Sequence, residues 1–210
     1  MALRDISVTL RIGTPEWPGD TAYDCRWTWR IARGDSVNVS TMSGSPHVGT
    51  HADAPLHVQD GWPAADMLPL DAFVGPALVV DVVAAGDVIE LAALTLPADQ
   101  RIERLLLRTG RTIAGGTFPG AWPALGTAAI DALLAQGLKL VGVDCPSVDE
   151  RESKTLANHR QLFAGRCCVL ENLDLRDIEA GFYELVAPPL KLDGLDASPV
   201  RALLRDLPTA

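Results

Sequence analysis

Residues 46–57 read PHVGTHADAPLH and hold three of the four histidines of the chain. The prolines near both ends of this stretch and its glycine disfavour a helix, so an extended backbone is expected. Alternate side chains of an extended chain share one face. Four side chains that can bind metal ions have the same parity here: His47, His51, Asp53 and His57. Imidazole nitrogen and carboxylate oxygen suit Zn²⁺, so the stretch predicts a metal site seeded by His47, His51 and Asp53.

Two further candidate ligands lie much later in the chain. The fourth histidine, His159, falls in a predicted helix over residues 155–164. Glu171 directly follows an apolar run at residues 167–170, and a carboxylate at the end of a buried strand needs a partner. A metal ion is one such partner. The residues alone leave open whether His159 instead lies on a helix surface and whether Glu171 instead forms a cap or a salt bridge.

Composition excludes several classes of partner. The 210 residues carry a net charge of −9 and are 48% hydrophobic, which is typical of a soluble globular protein with a sizeable core. Lys and Arg do not cluster, so a nucleic acid is not an expected partner. The N-terminus has no signal-peptide pattern, and no apolar run is long enough for a bilayer. We expect one domain over residues 1–210, reduced cysteines and a cytoplasmic location.

Strand-like segments outnumber helical ones. Continuous apolar runs predict buried strands at residues 77–83, 105–107, 139–143 and 167–170. Alternating apolar residues predict a half-buried first strand containing Ile6, Val8 and Leu10. Helices are predicted at residues 127–136 ahead of Gly137, at residues 155–164 ahead of Gly165, and in the C-terminal stretch with Ser198 as N-cap and Pro199 as the first helical residue. The strands do not alternate regularly with helices, which favours a mixed α/β barrel or sandwich over a doubly wound sheet.

The stretch HVGTHADAPLH at residues 47–57 resembles the H-x-G-T-H-x-D-x-P-x-H signature of the cyclase-like metal-dependent hydrolases. Four other segments are similar to members of that family: residues 5–20 (DISVTLRIGTPEWPGD), 105–110 (LLLRTG), 141–149 (VGVDCPSVD) and 158–175 (NHRQLFAGRCCVLENLDL). The resemblance thus covers nearly the whole chain and is strongest to the bacterial kynurenine formamidases (arylformamidases). It implies a mixed, barrel-like swivelling β/β/α fold.

The same resemblance implies a site with two Zn²⁺ ions. His47, His51 and Asp53 would hold one ion, and Asp53 would bridge to a second ion. The remaining residues with implied roles are His159 and Glu171 as further ligands, His57 as the acid/base residue, and Trp17 as part of the substrate pocket. Family members assemble as dimers or larger oligomers, so the resemblance also implies a homodimer.

The implied activity is hydrolysis of N-formyl-L-kynurenine to L-kynurenine and formate, a step of tryptophan degradation by the kynurenine pathway. Zinc lowers the pKa of a bound water from 15.7 to about 7, which would supply the nucleophile. His57 would then move protons between that water and the departing amine. Three alternatives stay open: His57 as a ligand or a partner of a ligand, hydrolysis of isatin or another cyclic amide, and a non-catalytic zinc-binding protein.

Overall fold

Short apolar runs separated by turn residues give this chain many short strands. The computed structural model describes residues 2–82, 86–97 and 99–207. The strands are β1 (Leu3–Asp5), β2 (Asp24–Trp29), β3 (Val39–Ser43), β4 (His51–Asp53), β5 (Val74–Asp81), β6 (Val88–Ile89), β7 (Arg104–Arg108), β8 (Ala124–Leu125), β9 (Leu140–Val143), β10 (Cys168–Glu171), β11 (Gly181–Val186), β12 (Ala197–Pro199) and β13 (Leu203–Asp206). The α-helices are α1 (Thr127–Ala135) and α2 (Ala157–Ala164), and 3₁₀ turns cover Ile31–Arg33, Pro55–His57, Ala65–Met67, Leu70–Ala72, Leu91–Ala93 and Ile113–Gly115.

Nine strands form one curled, mixed sheet in the order β1-β13-β11-β5-β7-β9-β10-β4-β12. The central strands β5, β7, β9 and β10 run parallel, and antiparallel strands flank them on both sides. This architecture confirms the predicted mixed α/β, barrel-like fold. Within the described ranges, no helix is long and apolar enough to cross a membrane.

The central strands are covered on both faces, which explains their continuous apolar sequences. Leu105 and Leu107 of β7 pack in one core together with Ile130 of α1 and Leu162 of α2. Leu106, which lies between them, belongs to a second core on the other face of the sheet. The helices therefore cover the face to which the odd-numbered residues of β7 point.

The predicted central elements are confirmed. All four apolar runs form strands, namely β5, β7, β9 and β10, although Val83 at the end of the first run lies outside the described residues. Helix α1 ends as predicted ahead of Gly137, whose φ of 91° requires the left-handed region that glycine adopts readily. Helix α2 begins two residues later than predicted, after Leu156, which is also left-handed.

The first strand is shorter than the alternating pattern predicts. Regular pairing is confined to β1, and beyond it only a single bridge joins Ser7 to Leu173. Ile6 and Val8 are buried as predicted, while Leu10 is half-buried. The alternation therefore reports which side chains face the core, but it does not require a continuous ladder of hydrogen bonds.

The predicted C-terminal helix after Ser198 is wrong, because this segment forms β12 and β13. Strand β12 pairs with β4, and β13 lies between β1 and β11. Ala202 and Leu204 are buried and Arg205 is exposed, which is a period of two. Pairing with distant strands thus overrides the local capping signal.

Candidate metal centre

The register between β4 and β10 brings the first candidate ligands together. Glu171 lies directly opposite His51, and Val169 lies opposite Asp53. Alternate residues of a strand share a face, so His51, Asp53 and Glu171 project to the same side of the sheet. Helix α2 covers this side and contributes His159, which is 1% exposed.

The first of two ligand clusters consists of His47, His51 and Asp53. His47 Nδ1 lies 3.0 Å from Asp53 Oδ1, and His51 Nε2 lies 3.2 Å from the same oxygen. The two imidazole nitrogens are 3.1 Å apart. Ligands about 2.0 Å from a tetrahedral Zn²⁺ are separated by about 3.3 Å, so the triangle of atoms has nearly the dimensions of a coordination face.

The second cluster shares Asp53 with the first but uses its other oxygen. His159 Nε2 lies 3.0 Å from Asp53 Oδ2 and 3.3 Å from Glu171 Oε1. Glu171 Oε2 also approaches His51 Nε2 to 3.7 Å. The ligand atoms of each cluster lie within 4.8 Å of one another. Asp53 thus has one carboxylate oxygen in each cluster and could contribute a ligand to both.

The second ring nitrogen of each of these histidines is hydrogen-bonded. His51 Nδ1 donates to the carbonyl of Gly49 (2.9 Å), His159 Nδ1 to Asp149 Oδ2 (2.6 Å) and His47 Nε2 to Asp196 Oδ2 (3.0 Å). Such bonds fix the tautomer and leave the other nitrogen, with its lone pair, directed into the cluster. Metal-binding histidines in proteins have this arrangement.

Sequence reasoning missed Asp149 and Asp196. Asp149 follows the buried strand β9 and ends the segment 141–149, which resembles the cyclase-like hydrolases. An acidic residue just beyond a buried strand could have marked it as a candidate site residue. Asp196 carries no local signal, because it is 149 residues from His47 and reaches it only through the pairing of β12 with β4. Both carboxylates orient candidate ligands.

The carboxylates of the site favour the protonated, positively charged form of the nearby imidazoles. Burial by itself lowers the pKa of His47, but the nearby carboxylates of Asp196 and Asp53 raise it to about 10. Burial also opposes protonation of His159, yet Asp149 and Asp53 hold its pKa well above the usual value. The carboxylates of the site therefore stabilise positive charge, and a divalent cation would supply it.

Asp53 provides the test of whether the site fits a metal ion. Its side chain is 1% exposed, and Oδ1 accepts no hydrogen bond from any described residue although two ring nitrogens lie within 3.2 Å. When the rings are neutral and in the tautomers given above, as metal binding requires, those nitrogens carry lone pairs that face the lone pairs of Oδ1. A cation between these atoms would satisfy the buried oxygen and both nitrogens at once, so the residues fit a metal ion.

Gly49 lies between the first two histidines at a position that favours glycine. Its φ is 75°, and a Cβ atom would come within 2.5 Å of Leu10 Cδ2. We expect Gly49→Ala to lower the free energy of unfolding by about 1–3 kcal/mol, because it combines backbone strain with overpacking. Urea denaturation checks this, with Gly61→Ala as the control, since Gly61 has a similar φ of 78° but open space around it. Equal losses in both variants would contradict the role of the close approach.

His57 lies beside both clusters and is more exposed than the residues in them. Its ring centroid is 4.5 Å from that of His47 and 5.7 Å from that of His159. Its Nδ1 is 3.5 Å from Asp196 Oδ2, so Asp196 faces two histidines. The side chains of His57, His47 and Asp196 also lie close together, but His47 Nε2 donates a hydrogen bond to Asp196 Oδ2 (3.0 Å).

A cavity of about 370 Å³ opens onto the clusters. Trp17 lines it, as expected, and packs edge-to-face against Phe118, with ring centroids 5.6 Å apart. His57, Leu156 and the candidate ligands His47, His51 and His159 form other parts of the wall. Every candidate site residue named from the sequence thus lies in or around one pocket, which is large enough for a small aromatic molecule.

Known proteins that are similar to this chain include structures described as metal-dependent hydrolases. The sequence matches the Cyclase family over residues 4–150. A solved structure described as a potential metal-dependent hydrolase with cyclase activity is 27% identical, with a TM-score of 0.84 and 99% of each chain covered. A predicted metal-dependent hydrolase from Bacillus stearothermophilus is also 27% identical, with a TM-score of 0.80 and 97% coverage of each chain.

The fold is shared with isatin hydrolase A from Labrenzia aggregata, which was solved with benzyl benzoate. That protein is 24% identical, with a TM-score of 0.78 over 97% of this chain and 93% of its own. Since the family match spans more than half of the sequence, the chain belongs to the Cyclase family.

Proposed function

We propose that this protein is a metal-dependent hydrolase that cleaves an amide C–N bond. The observation that carries the proposal is Asp53, a buried carboxylate with one oxygen in each of two ligand clusters beside an open cavity. His47 and His51 would hold one ion with Asp53, and His159 and Glu171 would hold a second. The solved relatives described as metal-dependent hydrolases support this proposal. The ligand set suits Zn²⁺, so we propose two zinc ions per subunit.

The bound metal would supply an activated water and positive charge beside the developing oxyanion. The residues of the chain perform the remaining steps. His57 is placed to hold a proton on Nε2 and deliver it to the amide nitrogen, because its Nδ1 faces Asp196 and its ring borders the cavity. Trp17 and Phe118 offer aromatic surface that positions an aryl group and excludes water.

We further propose N-formyl-L-kynurenine as the substrate, with L-kynurenine and formate as products in tryptophan degradation. An aryl formamide matches the aromatic wall at Trp17, and the resemblance at residues 47–57 supports the same choice. Isatin is the alternative, since isatin hydrolases share the fold. A non-catalytic zinc protein is disfavoured, because structural zinc sites are closed and rich in cysteine, whereas these clusters contain no Cys and border a cavity.

Metal dependence and substrate are tested together. We expect the zinc-loaded protein to hydrolyse N-formyl-L-kynurenine, to lose at least 90% of this activity with a chelator, and to recover it when Zn²⁺ is added. Absorbance of the released L-kynurenine measures the rate, and isatin is assayed in parallel. Turnover of isatin alone would overturn the substrate, and activity that survives removal of all metal would overturn the metal dependence.

We also propose that the protein is a homodimer joined through the hairpin of β2 and β3. No residue of the described segment 21–47 is buried, even though the segment contains large apolar side chains. Trp27, Trp29 and Met42 are 47%, 53% and 70% exposed. A two-stranded hairpin is only marginally stable alone in water, and an exposed apolar patch marks an interaction surface. A second copy, arranged with two-fold symmetry, is the commonest way to cover such a surface.

The hairpin proposal predicts that Trp29→Glu converts the dimer into a monomer, because it buries a charge in the apolar contact. Light scattering after size-exclusion chromatography measures the molar mass. Leu190→Glu is the matched control, since it adds the same charge at an apolar side chain that is 52% exposed but lies outside the hairpin. A monomeric wild-type protein, or a dimer that survives Trp29→Glu, would contradict the proposal.

A further inference from the structure

Two charged side chains border the cavity but belong to neither ligand cluster. Lys154 and Asp20 both line it, and Lys154 is the one Lys or Arg among the described residues that do so. Within residues 2–82, 86–97 and 99–207, neither side chain forms an ion pair within 4.0 Å. The carboxylate of Asp20 accepts one hydrogen bond, from the backbone N–H of Thr21 (2.6 Å). Each charge therefore remains able to bind a ligand.

Lys154 lies in the loop between β9 and α2, and hydrogen bonds hold both ends of this loop. The loop begins after Asp149, which accepts hydrogen bonds from the backbone N–H groups of Asn158 (2.9 Å) and His159 (3.1 Å). It ends at Leu156, whose φ of 48° is rare for a bulky side chain, and Leu156 N–H donates to Ser153 Oγ (3.1 Å). Backbone strain of this kind persists where the surroundings fix it, which is often at functional sites.

Asp20 reaches the cavity from a different loop, the one that carries Trp17. The cavity therefore has a cation on one loop, an anion on another, an aromatic wall and the ligand clusters. One small molecule that complements all these features is an α-amino acid with an aryl amide in its side chain, because its carboxylate and ammonium groups carry opposite charges. A neutral cyclic amide such as isatin would gain no ionic contact from either side chain.

We propose that Lys154 binds the α-carboxylate and Asp20 the α-ammonium group of an aromatic amino-acid substrate. This inference rests on the proposed hydrolase function and adds the residues that select a zwitterionic substrate over a neutral one. Lys154 and Asp20 act as specificity-determining residues and take no part in metal binding or proton transfer.

Calorimetric titration of the zinc-loaded protein tests the inference with two probes. L-kynurenine carries the amino-acid group, and 2′-aminoacetophenone is the same aryl ketone without it. We expect Lys154→Ala and Asp20→Asn each to weaken L-kynurenine binding about tenfold and to leave 2′-aminoacetophenone binding unchanged, since a hydrogen bond to a charged group is lost in each. Lys154→Arg keeps the charge and should restore most of the affinity. Lys191→Ala removes an exposed charge outside the cavity and should change nothing.

The outcomes separate the inference from the proposed function. Equal weakening of both probes, no weakening of either, or no binding of L-kynurenine to the wild-type protein would overturn the inference. Selective loss of L-kynurenine binding would support it even if N-formyl-L-kynurenine were not hydrolysed, in which case only the proposed reaction would fail.

Discussion

Asp53→Asn is expected to abolish binding of both proposed metal ions and to reduce the proposed hydrolysis by about 10³-fold or more. The amide keeps the size of the side chain but removes the negative charge and replaces one of two oxygens with an N–H₂ donor. Since Oδ1 lies in one cluster and Oδ2 in the other, one substitution damages both. Metal catalysis contributes several kcal/mol to the transition state, and each 1.36 kcal/mol is a factor of ten in rate.

Metal content of the purified variant, measured by mass spectrometry, and its rate on N-formyl-L-kynurenine check this expectation. Asp60→Asn is the control, because Asp60 is an exposed acidic residue nearby in sequence. Asp149→Asn gives an intermediate reference, since loss of a carboxylate that orients a ligand typically costs 10- to 100-fold. An Asp53→Asn protein that retained two ions per subunit would refute the bridging role.

His57→Ala is expected to lower kcat by about 10²- to 10⁴-fold while the metal content stays unchanged. The imidazole is outside the two clusters that share Asp53, and its proposed task is proton transfer to the departing amine. An arylamine leaves poorly as an anion, so loss of the proton donor affects the chemical step more than substrate binding. Steady-state kinetics and metal analysis of the same samples measure both effects.

His47→Ala is the matched comparison for His57→Ala. The two rings are neighbours, with centroids 4.5 Å apart, but only His47 has a nitrogen 3.0 Å from the oxygen of Asp53 that lacks a hydrogen bond. We therefore expect His47→Ala to lose metal and His57→Ala to keep it. Equal loss of metal in both variants would make His57 a ligand, which is the alternative that the sequence leaves open.

The sequence by itself determined the central strands, helices α1 and α2, and the candidate ligands. These features have local causes. Continuous apolar runs become strands buried on two faces, Gly137 supplies a left-handed residue that ends α1, and the spacing of His51 and Asp53 places them on one face of β4. The resemblance to cyclase-like hydrolases then linked His159 and Glu171 to that segment, which spacing alone could not do.

Only the tertiary structure decided which groups meet across the chain. The register of β4 against β10 sets Glu171 opposite His51, and β12 beside β4 brings Asp196 to His47 and His57. The same pairing turned a segment with good helix-capping signals into strands. The physical reason is that capping and periodicity act within a few residues, whereas strand register follows from the packing of whole faces. The orientation of each imidazole, and hence the chemistry of the site, depends on that packing.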